Sequence, residues 1–171
     1  QPQISLEFKL LPVTWESAAH LNLGAYDQVI HLGLGVYDSF HRILIESGAY
    51  NYRRGKDAAG RSLDEPLIAH APAVLSPPSV VRRGLQRALK AALPPPFKLT
   101  AIDARRDNSY LCNETHYRAL TWIQEHPKAR LKDAYFIHIP HREGDDDRAL
   151  AHALSPIISA LIHLPTLPPQ D

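Results

Sequence analysis

The chain has 171 residues, of which 44% are hydrophobic, and its formal net charge is +1 at pH 7. This length suits one domain with a substantial core, and the near-neutral charge excludes the strong positive field that nucleic-acid or anionic-membrane binding requires. The single cysteine excludes an internal disulfide and is typical of the reducing cytoplasm, and no apolar run approaches the roughly 20 residues that span a bilayer. We therefore expect a cytoplasmic protein that binds neither nucleic acid nor membrane.

The first half of the chain alternates between short apolar runs and polar connections. Alternating apolar residues predict a strand over residues 4–10, and a short helix follows over 16–23. Residues 28–34 are rich in β-formers and predict a central strand, and residues 41–46 predict another. Residues 52–73 are rich in charge, glycine and proline, so we expect an irregular segment that borders the active site.

The second half continues the alternation with longer helices. Helical apolar spacing over residues 79–92 ends at three consecutive prolines, and a strand is predicted over 97–102. Residues 113–125 predict a helix, 134–139 a strand and 146–163 a helix with acids at its start. We expect one α/β domain over residues 1–163 and a proline-rich tail over 164–171, because strands that alternate with helices form layered sandwiches.

The most informative residue is Cys112, the lone cysteine, which lies between a predicted strand and the first turn of a predicted helix. A helix N-terminus carries unpaired N–H groups and about half a positive charge, so it favours an anion. A thiol placed there is expected to lose its proton more easily, and the thiolate is the nucleophilic form. The alternative is that Cys112 is an inert small residue in the core.

Two further residues could act together with a nucleophilic cysteine. His138 ends a predicted buried strand before Pro140, where it can face the crevice at the end of a sheet. Glu46 directly follows three aliphatic residues, and a carboxylate buried there needs a partner such as an imidazole. A glutamate that orients a histidine, which in turn activates a cysteine, is the logic of a catalytic triad. The alternative for Glu46 is a solvent-exposed residue at a strand end. Seven other histidines have no comparable setting and are interpreted as surface or satisfied residues: His20, His41, His70, His116, His126, His152 and His163.

With these residues the chain resembles the family of type I pyroglutamyl peptidases, also called pyrrolidone-carboxylate peptidases. The resemblance extends from residue 11 to about residue 163. It depends on Leu11-Pro12-Val13, His31-Leu32-Gly33, Glu46 with Ala49 and Asn51, Tyr110-Leu111-Cys112-Asn113, and Phe136-Ile137-His138-Ile139-Pro140. The string from Tyr110 to Asn113 is identical to the family's nucleophile motif and is the most specific match.

The resemblance implies a three-layer α/β/α sandwich with a mixed central sheet, similar to the phosphorylase/hydrolase-like fold. It implies a cysteine exopeptidase that removes an N-terminal pyroglutamyl residue from peptides, with Glu46, Cys112 and His138 as catalytic residues and no cofactor. It further implies that Tyr110, Leu111, Asn51 and Lys56 contact the substrate or the oxyanion, and that the enzyme is a homo-oligomer, namely a tetramer. Arg54 competes with Lys56 for the place of the family's arginine near the oxyanion.

Besides this arginine segment, where Arg53-Arg54-Gly55-Lys56-Asp57 stand in place of the family's Ala-Arg-Ile-Pro-Asp, the chain departs from the family pattern in two further places. Asp107-Asn108 stand where the family has Ala-Gly, although asparagine tolerates the left-handed conformation that such a turn requires. The family's first strand and its aromatic Gly-Phe-x-Pro-Phe-Gly loop have no counterpart after Gln1, so we expect the pyroglutamyl pocket to lack these elements in the chain as written.

Two other functions are compatible with the same residues. A catalytically impaired binding homologue on the same scaffold would explain the departures, and a nucleoside phosphorylase-like enzyme could use the basic loop from Arg53 to Lys56 for phosphate. His138 and His141 have a spacing that a metal ion could use, but Pro140 breaks the helix that would align them, so we predict no metal site. Gly33-x-Gly35 lacks the third glycine of a dinucleotide fingerprint.

Overall fold

The structure is a computed structural model that describes residues 4–35, 39–77, 89, 93–140 and 147–163. Its strands are β1 (Gln28–Gly35), β2 (Arg42–Glu46), β3 (Ala49–Tyr50), β4 (Arg53–Lys56), β5 (Ser62–Glu65), β6 (Val74–Leu75), β7 (Lys98–Ile102) and β8 (Asp133–Pro140). Its long helices are α1 (Leu111–Glu125) and α2 (Asp147–Ile162), and short 3-10 turns occur at Leu23–Ala25 and Arg106–Asn108.

Four of the strands form one mixed sheet in the order β1-β8-β2-β7. The pairs β1–β8 and β2–β7 are parallel, whereas β2 and β8 are antiparallel. β8 lies between two neighbours and is buried along almost its whole length, which explains why its sequence is a nearly continuous apolar run. Two small antiparallel pairs, β3–β6 and β4–β5, lie outside this sheet.

The sheet separates two apolar cores. Successive side chains of a strand point to opposite faces, so Tyr135 and Ile137 of β8 pack with α2, while Ala134 packs with α1. Ile43 and Ile45 of β2 join the core beneath α2. One helix on each face makes three layers, and the predicted α/β fold with a mixed sheet is confirmed.

Two predictions for the first 25 residues are wrong. Residues 4–10 form no strand in the described structure, and the side chains of Phe8 and Leu10 are fully open to solvent, so the apolar alternation has no paired neighbour there. The helix expected over 16–23 is replaced by turns, because Glu16 has a φ of 65° and its N–H donates to the Glu114 carboxylate instead of entering a helical ladder.

The segment 52–73 is more regular than predicted, since β4 and β5 form an antiparallel hairpin within it. Its sequence shows no apolar alternation because the hairpin carries ion pairs in place of a buried face. Arg53 bonds to Glu65 across the two strands at 2.6 Å. Gly60, with a φ of 87°, lies in the connecting turn, where a side chain would be strained.

The other predicted elements agree with the structure to different degrees. The strand at 28–34 forms, but it lies at an edge of the four-stranded sheet in the described ranges, not at the centre. The helix predicted over 79–92 lies outside the described residues except for Leu89, which is helical and buried. The tail over 164–171 also lies outside them, and the predicted domain boundary stays a prediction. No helix within the described ranges combines the length and apolar character of a bilayer span.

Candidate active site

The register of the sheet brings the predicted histidine and glutamate to one face. Gly33 of β1 pairs with His138 of β8, and His138 pairs with Leu44 of β2, so these three residues form a row across the sheet. Glu46 lies two residues beyond Leu44 on the same strand and therefore on the same face. Helix α1 packs over this face and carries Cys112 as its second residue.

Glu46 and His138 form a buried hydrogen-bonded pair. The Nε2 atom of His138 lies 2.5 Å from Oε1 of Glu46, and only 5% of the surface of His138 and 3% of that of Glu46 are exposed. Burial by itself raises the pKa of Glu46, but hydrogen bonds from His116 and His138 outweigh it and hold the pKa below its ordinary value. The carboxylate is therefore ionised at neutral pH and can stabilise positive charge on the imidazole.

Cys112 lies beside the same row. A Cβ atom placed on Gly33 would lie 2.9 Å from the Sγ atom of Cys112 and 2.6 Å from Cζ of Phe136. Since Gly33 is the strand neighbour of His138, the absence of a side chain at position 33 leaves room for the thiol next to the histidine strand. The sequence-predicted trio Glu46, Cys112 and His138 thus converges on one face of the sheet.

The ionisation of Cys112 differs from the sequence prediction. Burial and, second, the charge of Glu46 raise the pKa of the Cys112 thiol to about 11, although its own backbone N–H lowers it. The prediction of an easily ionised thiol is therefore wrong for the protein without substrate. Desolvation and the nearby carboxylate outweigh the field of the helix N-terminus.

Sequence reasoning missed a second histidine on the same carboxylate. His116 is fully buried, its Nδ1 atom lies 3.5 Å from Oε2 of Glu46, and its Nε2 atom lies 3.3 Å from the carbonyl oxygen of Ala134. The interpretation of His116 as a surface or satisfied residue did not include this contact. The signal was its position four residues after Cys112, which places both side chains on one helix face.

His31 completes the buried polar cluster on this face. Its ring stacks on Phe136 with 5.7 Å between centroids and lies 6.4 Å from the ring of His116. Burial and then the neighbouring His116 lower the pKa of His31 to about 3. His31 is therefore neutral at physiological pH and contributes no charge to the site.

Tyr110 and Lys56, predicted to contact the substrate or the oxyanion, contact each other. The hydroxyl of Tyr110 donates to the carbonyl oxygen of Lys56 at 2.6 Å, and the Tyr110 ring packs edge-on against Trp15 at 5.5 Å. The backbone N–H of Arg54 donates to the carbonyl oxygen of Ser109 at 2.7 Å. These contacts hold the β4–β5 hairpin against the turn that precedes Cys112.

Asn51 and Asn113 use their amides to hold backbone segments in place. The Nδ2 atom of Asn51 donates to the carbonyl oxygens of Ile68 and Ala71, and its Oδ1 atom accepts from the Ile68 N–H. Asn113, directly after Cys112, accepts from the Tyr50 N–H at 2.7 Å and donates to the carbonyl oxygens of Tyr50 and Tyr52. Leu111, the remaining predicted contact residue, is half-buried at the first position of α1.

A cavity of about 360 Å³ adjoins the row of site residues. Leu44, the strand neighbour of His138, lines one side, and Asp107 and Asn108, which precede the nucleophile, line another. Arg105 and Asp103 supply charges of both signs at its border. Glu46, Cys112 and His138 are not among the residues that line this cavity.

The described residues offer no ready metal site. Among them, no three histidine, cysteine, aspartate or glutamate side chains are placed to share a metal ion. The partner that sequence spacing suggested for His138, His141, lies outside the described residues.

Comparison with known proteins gives a match in structure alone. No protein-family model matches the chain, and no curated protein matches its sequence. A mutant pyrrolidone carboxyl peptidase from Pyrococcus furiosus matches with a TM-score of 0.69 at 19% identity, over 89% of this chain and 79% of that one. The pyrrolidone carboxyl peptidase from Thermococcus litoralis matches with a TM-score of 0.65 at 20% identity, over 94% and 81% of the two chains. The one from Thermus thermophilus matches with a TM-score of 0.63 at 26% identity, over 90% and 80%. The chain therefore has the fold of these peptidases.

Proposed function

We propose that this protein is a cysteine exopeptidase that hydrolyses the bond after an N-terminal pyroglutamyl residue. The observation that carries the proposal is the buried 2.5 Å pair of His138 and Glu46 in the strand row where Gly33 makes room for the Cys112 thiol. A nucleophile, a base and a residue that orients the base are the three parts that covalent acyl transfer needs. The fold shared with pyrrolidone carboxyl peptidases supports this choice of reaction.

The reaction begins with proton transfer inside the site. Because Nε2 of His138 bonds to Glu46, the Nδ1 atom is the one that takes the proton from the Cys112 thiol. The raised thiol pKa, about 11, means that the resting thiol is neutral and that deprotonation accompanies substrate attack. The sulfur then bonds to the pyroglutamyl carbonyl carbon, the C–N bond breaks, and His138 returns the proton to the leaving amine. Water hydrolyses the resulting thioester.

The start of α1 supplies donors for the developing oxyanion. The first helical bond runs from the Glu114 N–H to the Tyr110 carbonyl, so the N–H groups of Leu111 and Cys112 precede the helical ladder. Donors of this kind are typically worth about 3 kcal/mol each in the transition state. In this proposal Tyr110, Asn51 and Lys56 act by positioning the surrounding loops and not by touching the substrate.

The cavity beside Leu44 is the proposed place for the substrate. A site that pairs with the lactam N–H and C=O of pyroglutamate leaves its own polar groups unpaired when proline binds, since the proline ring lacks the carbonyl. We therefore expect strong discrimination against prolyl peptides. Assembly into a tetramer and location in the cytoplasm stay predictions, and light scattering of the purified protein measures the first.

The decisive experiment measures release of aminocoumarin from pyroglutamyl-aminocoumarin amide, with prolyl-aminocoumarin amide as the substrate control. Cys112→Ser and Cys112→Ala should lower turnover by several orders of magnitude, because they remove the nucleophile and change little volume. His152→Asn, an exposed position on α2, serves as the matched control variant and should retain wild-type turnover. Retained turnover in Cys112→Ala would end the cysteine-peptidase proposal.

A second candidate is a binding homologue that recognises pyroglutamyl peptides without cleaving them. The raised thiol pKa favours it, since a thiol held neutral by burial reacts slowly. Peptide binding by calorimetry without any turnover in the same preparation would select this candidate. A phosphorylase-like function has less support, because Arg53, the first residue of the proposed phosphate loop, already pairs with Glu16, Glu65 and Glu114.

A further inference from the structure

The carboxylate of Glu46 has two histidine partners, one on each oxygen. Nε2 of His138, in the sheet, lies 2.5 Å from Oε1, and Nδ1 of His116, in helix α1 above the sheet, lies 3.5 Å from Oε2. A triad needs only the first of these contacts. The second comes from the helix that also carries the nucleophile, so it links the orienting acid directly to α1.

The hydrogen-bond partners of His116 bear on its charge. The Nε2 atom faces the Ala134 carbonyl oxygen at 3.3 Å, which can only accept a hydrogen bond, so a bond at this contact needs a proton on Nε2. The Nδ1 atom faces a carboxylate oxygen, which when ionised also only accepts. A neutral ring would set its lone pair against either the carboxylate or the Ala134 carbonyl oxygen, depending on the tautomer, in a place where no surface of His116 reaches solvent. Both contacts are satisfied together when the ring is an imidazolium.

The other titratable groups around His116 agree with this charge. Glu46 approaches from β2, and its lowered pKa opposes the alternative in which the carboxylate itself carries the shared proton. His31 approaches from β1 and is neutral, since burial and then the charge of His116 lower its pKa to about 3. Among the described residues, His138 from β8 bonds to the same Glu46 carboxylate, and the charge of that carboxylate also acts on Cys112 from α1.

We propose that His116 is a positioning residue: as a charged imidazolium it binds one oxygen of the Glu46 carboxylate, while His138 binds the other. This inference depends on the proposed function for its catalytic consequence. By neutralising part of the Glu46 charge, His116 limits how tightly Glu46 holds a proton on His138. His138 is thereby kept able to accept the thiol proton near neutral pH, and the repulsion between Glu46 and a Cys112 thiolate is reduced.

Histidine ring nitrogen NMR tests the charge without any need for turnover. Full-length protein with labelled histidine is titrated from pH 5 to 9, and the His116 signals are assigned by their loss in His116→Asn. We expect both ring nitrogens of His116 to stay protonated through neutral pH. A spectrum with one unprotonated His116 nitrogen at pH 7 overturns the proposal, whatever the activity of the protein.

The pH profile of kcat/KM tests the catalytic consequence. Asparagine at position 116 keeps a donor near the place of Nδ1 but removes the charge, and leucine removes both. Each variant should move the acidic limb of the profile to higher pH by about one unit or more, because a nearby buried charge typically has that effect. His116→Leu should also lower kcat/KM by about tenfold or more, as loss of an orienting partner does.

Matched controls keep the two proposals separable. His152→Asn on α2 should leave the profile unchanged, and if His116→Leu does not fold, His116→Asn alone carries the comparison. A merely structural role would lower kcat/KM equally at every pH, and unchanged limbs in a folded His116→Asn variant would overturn the proposal. Absence of turnover in the wild-type protein would instead end the proposed function, while the NMR result would still decide the charge of His116.

Discussion

Gly33 gives the sharpest test of how the site is packed, because the row of site residues has no room for one more methyl group. A Cβ on this residue would lie 2.6 and 2.7 Å from two ring atoms of Phe136 and 2.9 Å from the Cys112 Sγ atom. Ordinary contact begins at 3.4 Å, so in Gly33→Ala the Phe136 ring would have to move by about 0.8 Å and the thiol by about 0.5 Å.

These displacements set the expected magnitudes. Forcing one carbon into a packed interior costs about 1–3 kcal/mol of folding stability. Misplacement of a reacting group by about 1 Å can lower turnover by about 10²-fold, so a shift of half that size should lower it by about tenfold. Urea unfolding measures the first effect, and hydrolysis of pyroglutamyl-aminocoumarin amide measures the second. The rate of Cys112 alkylation by iodoacetamide reports the thiol directly and does not depend on the substrate.

Gly24→Ala is the matched control, since a Cβ there meets its nearest neighbour, Cζ2 of Trp122, at an ordinary 3.4 Å. It should leave the urea midpoint, the alkylation rate and turnover close to those of the wild-type protein. If Gly33→Ala behaves like Gly24→Ala in all three measurements, then Gly33 does not border the thiol, and Cys112 does not lie beside the strand that carries His138.

Three other changes test separate parts of the structure. Asn113→Leu should lower the free energy of unfolding by about 1–3 kcal/mol, measured in urea, because it leaves buried backbone groups of Tyr50 and Tyr52 without their partner; an unchanged midpoint would contradict this. Glu46→Gln should lower kcat less than Cys112→Ser does, since it disturbs orientation and charge but keeps the nucleophile, and equal losses in the two variants would contradict the assigned roles. Because the pKa of His31 is lowered from 6.5 to about 3, its contribution to stability is complete above pH 6.5 and is lost as the pH falls toward 3. His31→Leu should therefore reduce the difference in urea midpoint between pH 7.5 and pH 5. An unaltered difference would refute this lowered pKa.

The sequence was sufficient for the parts of the fold that follow from local pattern. The strand that ends near Pro140 is a long apolar run, and the helix after Tyr110 has a clear amphipathic pattern, so both were predicted within a few residues. Strand pairing was not available from pattern, because an apolar run does not state which neighbour it has. This is why β1 was expected at the centre of the sheet, and why residues 4–10 were expected to pair.

The site shows the same division between local and non-local information. Cys112, His138 and Glu46 could be proposed from the sequence because each lies at or near the end of a predicted strand, in a string of specific residues. The contact of His116 was missed because it depends on the residue that faces His116 from the sheet, and helix periodicity alone does not distinguish a buried polar contact from a satisfied surface residue. The ionisation of Cys112 was mispredicted for a similar reason, since burial is a property of the whole fold.

The overlooked contact of His116 and the mispredicted ionisation of Cys112 both involve the Glu46 carboxylate. Its charge raises the pKa of the Cys112 thiol, and the same charge orders both histidines. An isolated buried carboxylate would be costly, and two imidazole partners offset that cost more fully than one. The arrangement therefore keeps the acid ionised and the resting thiol neutral, and in the proposed mechanism the proton transfer to His138 is the step that produces the nucleophile.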